Sequence, residues 1–175
     1  MGRKSGDSWE NFIGEMYRRY YDRLMIVACS YTHDRTKAED LVHEAFLKAI
    51  LSYRKGGSFL SWACRVIRNS FLDQYRREKR FPEEDIDGEA EIPAQEDLLA
   101  DYIKGEERRR LAAMISALPL KYRDVMIQSV YLEKTDAELA RLYDTTEANV
   151  RQMRSRAKKM LVAMREEDDG YEEDR

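Results

Sequence analysis

The chain has few of the residues that break helices or build chemical sites. Its 175 residues include only 8 Gly, 3 Pro, 2 Cys and 2 His. So little Gly and Pro, beside abundant Leu, Ala, Arg, Lys and Glu, favours an all-α fold. The two cysteines, Cys29 and Cys64, fall in apolar helical patterns, which is typical of buried reduced thiols rather than of a disulfide or a metal site.

Long apolar runs and catalytic groupings are missing as well. No apolar run approaches the ~20 residues that span a bilayer, and the opening MGRKSGDSWE has no signal-peptide core. We therefore expect a cytoplasmic protein without membrane insertion. The pair His43-Glu44 lacks the second histidine of a zinc-protease motif, because Leu47 stands in its place. With no phosphate-binding glycine loop either, we predict no enzymatic activity, no catalytic residue, no metal and no cofactor.

Charge is plentiful, and it is divided into blocks. Charged residues make up 37% of the chain, whose formal net charge is -3. Residues 1–80 carry a net +6, residues 81–105 a net -8, residues 106–165 a net +5 and residues 166–175 a net -6. Two basic blocks on an acidic tether suggest that a polyanion is contacted at two places.

The acidic end of the chain, residues 166–175, allows two interpretations. We expect it to be a disordered, solubilising tail. The alternative is that it acts as an intramolecular decoy for the basic helix that precedes it.

Helical spacing of apolar residues runs through most of the first block. It predicts one helix from Trp9 to Tyr31 and a second that begins at the capping-box spacing of Thr36 and Glu39. A third helix is expected to begin near Ser58, after the helix-terminating KGG. The expected inner face of the second helix consists of Leu41, Val42, Ala45, Phe46, Ala49 and Ile50.

The second block follows residues 82–97, which we interpret as a flexible acidic linker because they are rich in acidic residues and contain two prolines. Helical spacing then predicts a single helix from Leu98 to Leu118, and Pro119 opens the next one. No segment is patterned as a strand that could build a sheet. The chain is thus expected to fold as two small helical domains, residues 8–81 and 98–165.

The stretch TDAELARLYDTTEANVRQMRSRAKKML, residues 135–161, has the pattern of a helix-turn-helix. Thr135 and Glu138 have the spacing of a capping box, and Asp144 or Thr146 can cap the following helix through a side-chain oxygen. The buried seam of that helix would be Val150, Met153, Ala157, Met160 and Leu161. Arg and Gln on its opposite face suit guanine and adenine edges in the major groove, and its other cations suit phosphates.

At this point the chain resembles an extracytoplasmic-function (ECF) sigma factor of the sigma-70 family. Three blocks in the family's order carry the resemblance: YTHDRTKAEDLVHEAFLKAI, SFLSWACRVIRNSFLDQYRREKR and the stretch from ALPLKYRDV to RSRAKKML. The family's pattern is altered at several positions. Asp144 lies where the family often has Gly, and Met153 and Arg154 lie where Arg and Leu are usual, so the −35 sequence is left open.

The resemblance implies three sets of site residues. The surface that meets the clamp of core RNA polymerase would comprise Asp40, Leu41, His43, Glu44 and Phe46. The −10 promoter element would be bound by Ser58, Phe59, Trp62, Arg65, Asn69, Arg76 and Arg77. The −35 element would be bound by Glu147, Arg151, Gln152, Arg154, Ser155, Arg156, Lys158 and Lys159.

The resemblance also implies a function and partners. The protein would be an alternative-sigma transcription initiation factor of a bacterial cytoplasm that binds core RNA polymerase, recognises both promoter elements and helps open the DNA. Its partners would be the clamp region of the largest polymerase subunit, the flap region, promoter DNA and an anti-sigma factor. Two alternatives stay open: a stand-alone helix-turn-helix regulator that acts without polymerase, and a helical adaptor that has no affinity for DNA.

Overall fold

The computed structural model describes residues 4–54, 56–79 and 96–173, and within these ranges the chain forms helices and no strand. The helices are α1 (Lys4–Thr32), α2 (Arg35–Ser52), α3 (Phe59–Lys79), α4 (Glu96–Ala100), α5 (Glu106–Ala117), α6 (Leu120–Val130), α7 (Asp136–Leu142) and α8 (Glu147–Glu173). The all-α prediction is confirmed.

The helices form two compact units. The first contains α1, α2, α3 and the short segment Asp101–Ile103, and the second contains α4 to α8. Residues 82–95 of the predicted linker lie outside the described residues. The domain boundaries drawn from the sequence stay predictions.

In the first unit, each of the three helices packs against the other two. The core positions Leu24, Ala28, Leu41, Ala45 and Ile67 are at most 1% exposed. Alanines at such contacts let helix axes approach closely, while the larger aliphatic side chains fill the space between them. Burial of this apolar face, rather than helix propensity, is what stabilises the bundle.

The junction between α1 and α2 differs from its prediction. Helix α2 begins at Arg35 and not at a Thr36–Glu39 capping box. Asp34 is its N-cap, and the backbone N–H of Lys37 donates to Asp34 Oδ1 at 2.9 Å. The Asp34 carboxylate thus accepts a hydrogen bond from the first turn of α2, in place of the predicted Thr36. Glu39 pairs with Arg35 at 3.2 Å.

The predicted helix from Leu98 to Leu118 is wrong, because the chain leaves helical geometry between α4 and α5. Gly105 has φ 96°, a conformation that glycine adopts without the Cβ clash of other residues. The segment Asp101–Ile103 belongs to the first unit. Arg35 Nη1 lies 2.8 Å from Asp101 Oδ2, and the Arg35 guanidinium lies 5.7 Å from the Tyr102 ring centroid. Helical spacing continues through this break, so the sequence pattern hides it.

The second unit has an aliphatic core in which α8 packs against α5, α6 and α7. Its most deeply buried side chains include Ile115, Leu118, Ile127, Leu139 and Val150, which are at most 1% exposed. Leu118 is the C-cap of α5, and the other four come from α5, α6, α7 and α8. Apart from α8, these helices are too short to be stable alone. The helix-turn-helix therefore depends on α5 and α6 as its support.

The acidic end of the chain is not the disordered tail that we predicted, because α8 continues through Glu173. Glutamate is a good helix former. From Glu147 to residue 169 the sequence of α8 contains no Gly or Pro. A continuous helix carries Glu166 about 12 Å beyond Lys158 and away from the basic half. The decoy interpretation would thus require α8 to unwind. Residues 174–175 lie outside the described residues.

Three further findings bear on the classes of protein considered above. Both cysteines are buried thiols that form no disulfide, and burial raises the pKa of the Cys29 thiol to about 11. In the part of the chain that the structure describes, every helix is too short or too polar to cross a membrane. The same residues contain no cluster of three or more His, Cys, Asp or Glu side chains that could hold a metal ion.

Candidate nucleic-acid and protein interfaces

The helix-turn-helix begins with the predicted capping box. The backbone N–H of Glu138 donates to Thr135 Oγ1 at 3.2 Å, and the backbone N–H of Thr135 donates to Glu138 Oε2 at 2.8 Å. These bonds satisfy two N–H groups that a helix end leaves without partners. The bonds from the Thr135 backbone and hydroxyl also hold the pKa of Glu138 below its ordinary value. The start of α7 is therefore fixed by its own sequence.

The turn between α7 and α8 is tight and is closed by side chains. Asp144 has φ 50°, a left-handed conformation that Asp tolerates better than most residues, where the family often has Gly. Thr146 is the cap of α8, since its Oγ1 accepts from the backbone N–H of Asn149 at 3.2 Å. The Asn149 side chain donates to Thr145 Oγ1 at 2.9 Å. Of the two predicted caps, Thr146 makes the hydrogen bond.

The inner seam of α8 is partly as predicted. Val150 and Ala157 are fully buried, and Met153 and Leu161 are half-buried. Met160, which we predicted in the seam, is 36% exposed.

The outer face of α8 exposes most of the residues predicted to bind the −35 element. The exposed ones are Glu147, Arg151, Gln152, Ser155, Arg156, Lys158 and Lys159. Arg151 lies 3.6 Å from Glu147 within the same helix, and 60% of its side chain is exposed. Spacings of three and four residues place Arg151, Ser155 and Lys158 on one side of the helix.

Arg154 differs from the other cations of α8. Its Nη1 lies 2.5 Å from Oδ1 of Asp136, the first residue of α7. The two side chains are 34% and 21% exposed, so the pair is partly withdrawn from solvent. Together they form one wall of an open groove whose other residues include Arg151, Ser155 and Lys158.

A second basic face lies on α3. Arg65, Asn69 and Arg76 are exposed and recur at steps of four and seven residues, so they share one side of the helix. Arg77 is exposed on the adjacent side, and half-buried Trp62 lies one turn before Arg65. All of these residues were predicted to bind −10 DNA; Arg65, Asn69 and Arg76 share one side of α3, and Arg77 lies beside them.

Two residues predicted to bind −10 DNA also have structural roles within the first unit. Ser58 Oγ accepts from the backbone N–H of Ser61 at 3.2 Å, so this serine caps α3. Phe59 is only 4% exposed, and its ring packs against Tyr53, Trp62 and other aromatic rings. Its ring therefore supports the neighbouring surface from below and is not presented to solvent.

The connection between α2 and α3 is tied to this aromatic cluster. The hydroxyl of Tyr53 donates to the carbonyl oxygen of Gly57 at 2.8 Å. The Tyr53 ring meets the rings of Phe59 and Trp62 edge to face, with centroids 5.2 and 5.3 Å apart. Sequence reasoning missed Tyr53 because a tyrosine just past a helix end carries no motif. Its role is visible only once its ring and hydroxyl are placed.

Helix α2 exposes an apolar surface that we call the α2 apolar face: Leu47, Ile50 and Leu51. They are 62%, 51% and 81% exposed. We predicted Ile50 on the inner face, which is wrong, since the buried stripe ends at Ala49. Exposed Asp40 and His43 continue the same side of the helix at steps of three and four residues. Contiguous exposed apolar side chains mark interaction surfaces.

The remaining residues predicted to meet polymerase lie behind this surface. Leu41 and Phe46 are buried. Glu44 is half-buried, and its Oε1 accepts from Lys48 Nζ at 2.5 Å and from Ser70 Oγ at 2.9 Å. Burial pushes the pKa of Glu44 upward, but the hydrogen bonds from Lys48 and Ser70 outweigh it and hold that pKa below its ordinary value. Glu44 thus links α2 to α3.

Comparison with known proteins places both units in one family. Residues 16–81 match the family model of Sigma-70 region 2, and residues 108–161 match that of Sigma-70, region 4. The chain is 25% identical over 163 residues to the ECF RNA polymerase sigma factor SigM of Bacillus subtilis, covering 87% of this chain and 94% of the relative. It is 30% identical over 127 residues to the ECF sigma factor SigE of Mycolicibacterium smegmatis, covering 69% of this chain and 47% of that one.

The fold comparison agrees. The structure of the sigma factor RpoE from Bartonella quintana, solved in complex with the anti-sigma factor NepR, matches with a TM-score of 0.60 and 21% identity, over 87% of this chain and 94% of that one. The match to region 2 contains the first two sequence blocks described above, and the match to region 4 contains the third. This chain therefore belongs to the sigma-70 family of RNA polymerase sigma factors, among relatives of the ECF group.

Proposed function

We propose that the protein is an alternative sigma factor that joins core RNA polymerase, recognises −35 and −10 promoter elements and helps to open the DNA. The observation that carries this function is the combination of three surfaces in one chain. These are the basic face of a capped helix-turn-helix, the basic face of α3 and the α2 apolar face. The α2 apolar face suits a protein partner, whereas the two basic faces suit DNA.

The α2 apolar face is the proposed docking surface for the clamp region of the largest polymerase subunit. Leu47, Ile50 and Leu51 would be removed from water there, with Asp40 and His43 at the edge. An apolar centre with a polar rim is the usual composition of a protein interface. We further propose that the second unit meets the flap region of polymerase.

The two basic faces are the proposed promoter contacts. On α8, Arg151, Gln152, Ser155 and Lys158 would enter the −35 major groove, while Arg156 and Lys159 would contact phosphates. On α3, Arg65, Asn69, Arg76 and Arg77 would face the −10 element beside the aromatic-supported connection to α2. Each contact is weak alone, and tethering raises the effective concentration of the second once the first has formed.

Control by an anti-sigma factor is part of the proposal. Such a partner would cover the polymerase- and DNA-binding faces and release them on a signal. We also propose that the protein works in the bacterial cytoplasm and has no chemistry of its own, so that it supplies specificity and strand opening to polymerase.

The direct test is run-off transcription by core polymerase that lacks any sigma factor. Added protein should produce discrete transcripts from genomic promoter fragments. A stand-alone regulator would instead bind a palindromic duplex tightly without polymerase and start no transcript. An adaptor would show neither initiation nor affinity for DNA, so the three functions give different results.

The polymerase contact is tested by Leu51→Asp, at a side chain that is 81% exposed. A carboxylate in the α2 apolar face should weaken core-polymerase binding at least about tenfold, because burying an unpaired charge is costly. The matched control is Ser52→Asp, at an exposed neighbour on another side of the helix. Both variants place a negative charge at the same unfavourable helix end, so that effect cancels. Equal binding by the two variants would contradict the proposed docking surface.

A further inference from the structure

Arg154 and Asp136 join the two helices of the helix-turn-helix across 18 residues of sequence. Their 2.5 Å contact connects the second turn of α8 to the first residue of α7. By contrast, Arg151 has its described partner, Glu147, one turn earlier in its own helix. The contact of Arg154 therefore constrains the angle between α7 and α8, which the contact of Arg151 does not.

The environment of the pair opposes its separation. Asp136 is only 21% exposed, so a carboxylate abandoned by Arg154 would have little access to water. It would also lie in the groove that holds Arg151, Ser155 and Lys158, where an approaching phosphate would meet its negative charge. An Arg154 that swung out to DNA would therefore add little net attraction.

We propose that Arg154 is a positioning residue: through Asp136 it sets the orientation of α8 relative to α7, and it does not itself contact bases or phosphates. This inference rests on the proposed function and revises the −35 contact set for this chain. The pair is electrically neutral, so it contributes orientation rather than attraction. Promoter attraction then comes from the cations that are not tied across helices, Arg151 and Lys158 among them.

A sign test distinguishes the two roles of Arg154. Asp136→Asn removes one negative charge beside the DNA-binding face. If Arg154 contacts DNA, this change frees it, and binding should be unchanged or tighter. If Arg154 positions α8, specific binding should weaken about three- to tenfold despite the more favourable charge. The matched control is Asp144→Asn in the turn, which makes the same charge change and preserves a residue type that tolerates φ 50°.

The assay uses holoenzyme reconstituted from core polymerase and the full chain. The probe is a duplex of about three helical turns, cut from the upstream half of a promoter that proves active in the run-off assay. A random-sequence duplex of equal length measures non-specific binding. We expect Asp136→Asn to weaken binding to the promoter duplex only, and Asp144→Asn to weaken neither. Unchanged or tighter promoter binding by Asp136→Asn, or equal weakening on both duplexes, would overturn the inference.

The double variant Asp136→Asn/Arg154→Gln keeps the test decisive even if the single variant fails to fold, because it leaves no unpaired charge. A positioning role predicts that the slope of log K against log salt stays at the wild-type value, since a neutral pair has been replaced by a neutral pair. A lost phosphate contact would reduce that slope by about 0.9. A loss of discrimination at one base pair alone would identify Arg154 as a base contact.

These outcomes are separable from failure of the proposed function. If wild-type holoenzyme starts no transcript, the sigma activity itself is refuted. If wild-type holoenzyme is active and Asp136→Asn binds the promoter as well as wild type does, only the positioning role is refuted.

Discussion

The exposed basic face of α3 rests on packed aromatic rings, whereas that of α8 is held by caps, a narrow aliphatic seam and an ion pair. Below α3, Phe59 contacts Tyr53 and Trp62, and Tyr53 fixes the connection to α2. Below α8, the buried positions are as small as Val150 and Ala157. Large rings give a stiff platform that suits capture of unstacked bases. A capped helix on a slender seam suits insertion into a groove.

Loss of the Phe59 ring should have the largest effect, because it removes the centre of the aromatic support below α3. Phe59→Ala should destabilise the first unit by about 3–5 kcal/mol, because it removes a buried ring that several other rings surround. Tryptophan fluorescence during urea unfolding measures this selectively, since both tryptophans of the chain, Trp9 and Trp62, lie in the first unit.

Two variants serve as controls for that measurement. Tyr53→Phe keeps the ring and loses only its hydrogen bond to Gly57, so it should cost about 1 kcal/mol. Leu139→Ala empties a fully buried site of the second unit and should leave the tryptophan transition in place. A shift of that transition by Leu139→Ala would show that the units do not unfold independently.

Removal of a cap should have a smaller effect, confined to the second unit. Thr135→Ala eliminates the side-chain half of the capping box and should cost about 1 kcal/mol. Circular dichroism during denaturation should show the loss while the tryptophan transition stays unchanged. Thr135→Ser retains an acceptor oxygen and should recover most of the stability. Full stability of the alanine variant would mean that packing alone fixes the start of α7.

The smallest expected effect concerns the link between α2 and α3 through Glu44. Because the folded state lowers the pKa of Glu44, its contribution is present above the unfolded pKa, near 4.5, and is lost as the pH falls through the folded pKa. The side chain is 36% exposed, so screening limits the contribution to about 0.3–0.5 kcal/mol. The free energy of unfolding of Glu44→Gln, measured by tryptophan fluorescence between about pH 3 and 6, should lack this part of the pH dependence. If the stability of Glu44→Gln depended on pH in the same way as that of wild type, the proposed contribution of Glu44 would be refuted.

The features that could be predicted from the sequence are those with local causes. The capping box of Thr135 and Glu138 spans four residues, and its hydrogen bonds form within them. The helical content and the basic face of α8 follow equally from residue spacing and type. Their prediction required no knowledge of what packs against them.

The features that could not be predicted depend on contacts between distant parts of the chain. Ile50 and Ala49 are adjacent apolar residues, and only the position of the neighbouring helices decides which one is buried. Asp101 and Tyr102 lie in a stretch of helical spacing, yet they are outside the helices and contact Arg35. Likewise, Arg154 resembles its basic neighbours until Asp136 is placed beside it.

The length of α8 gives the helix a direction with respect to DNA. Its 27 residues extend for about 40 Å, with cations concentrated in the first half and acidic residues from Glu166 onward. Such a rod is attracted to a polyanion at one end and repelled at the other. In the proposed −35 complex, the N-terminal half of α8 would therefore enter the groove, and its acidic end would lie away from the duplex. The charge gradient would disfavour the reversed approach.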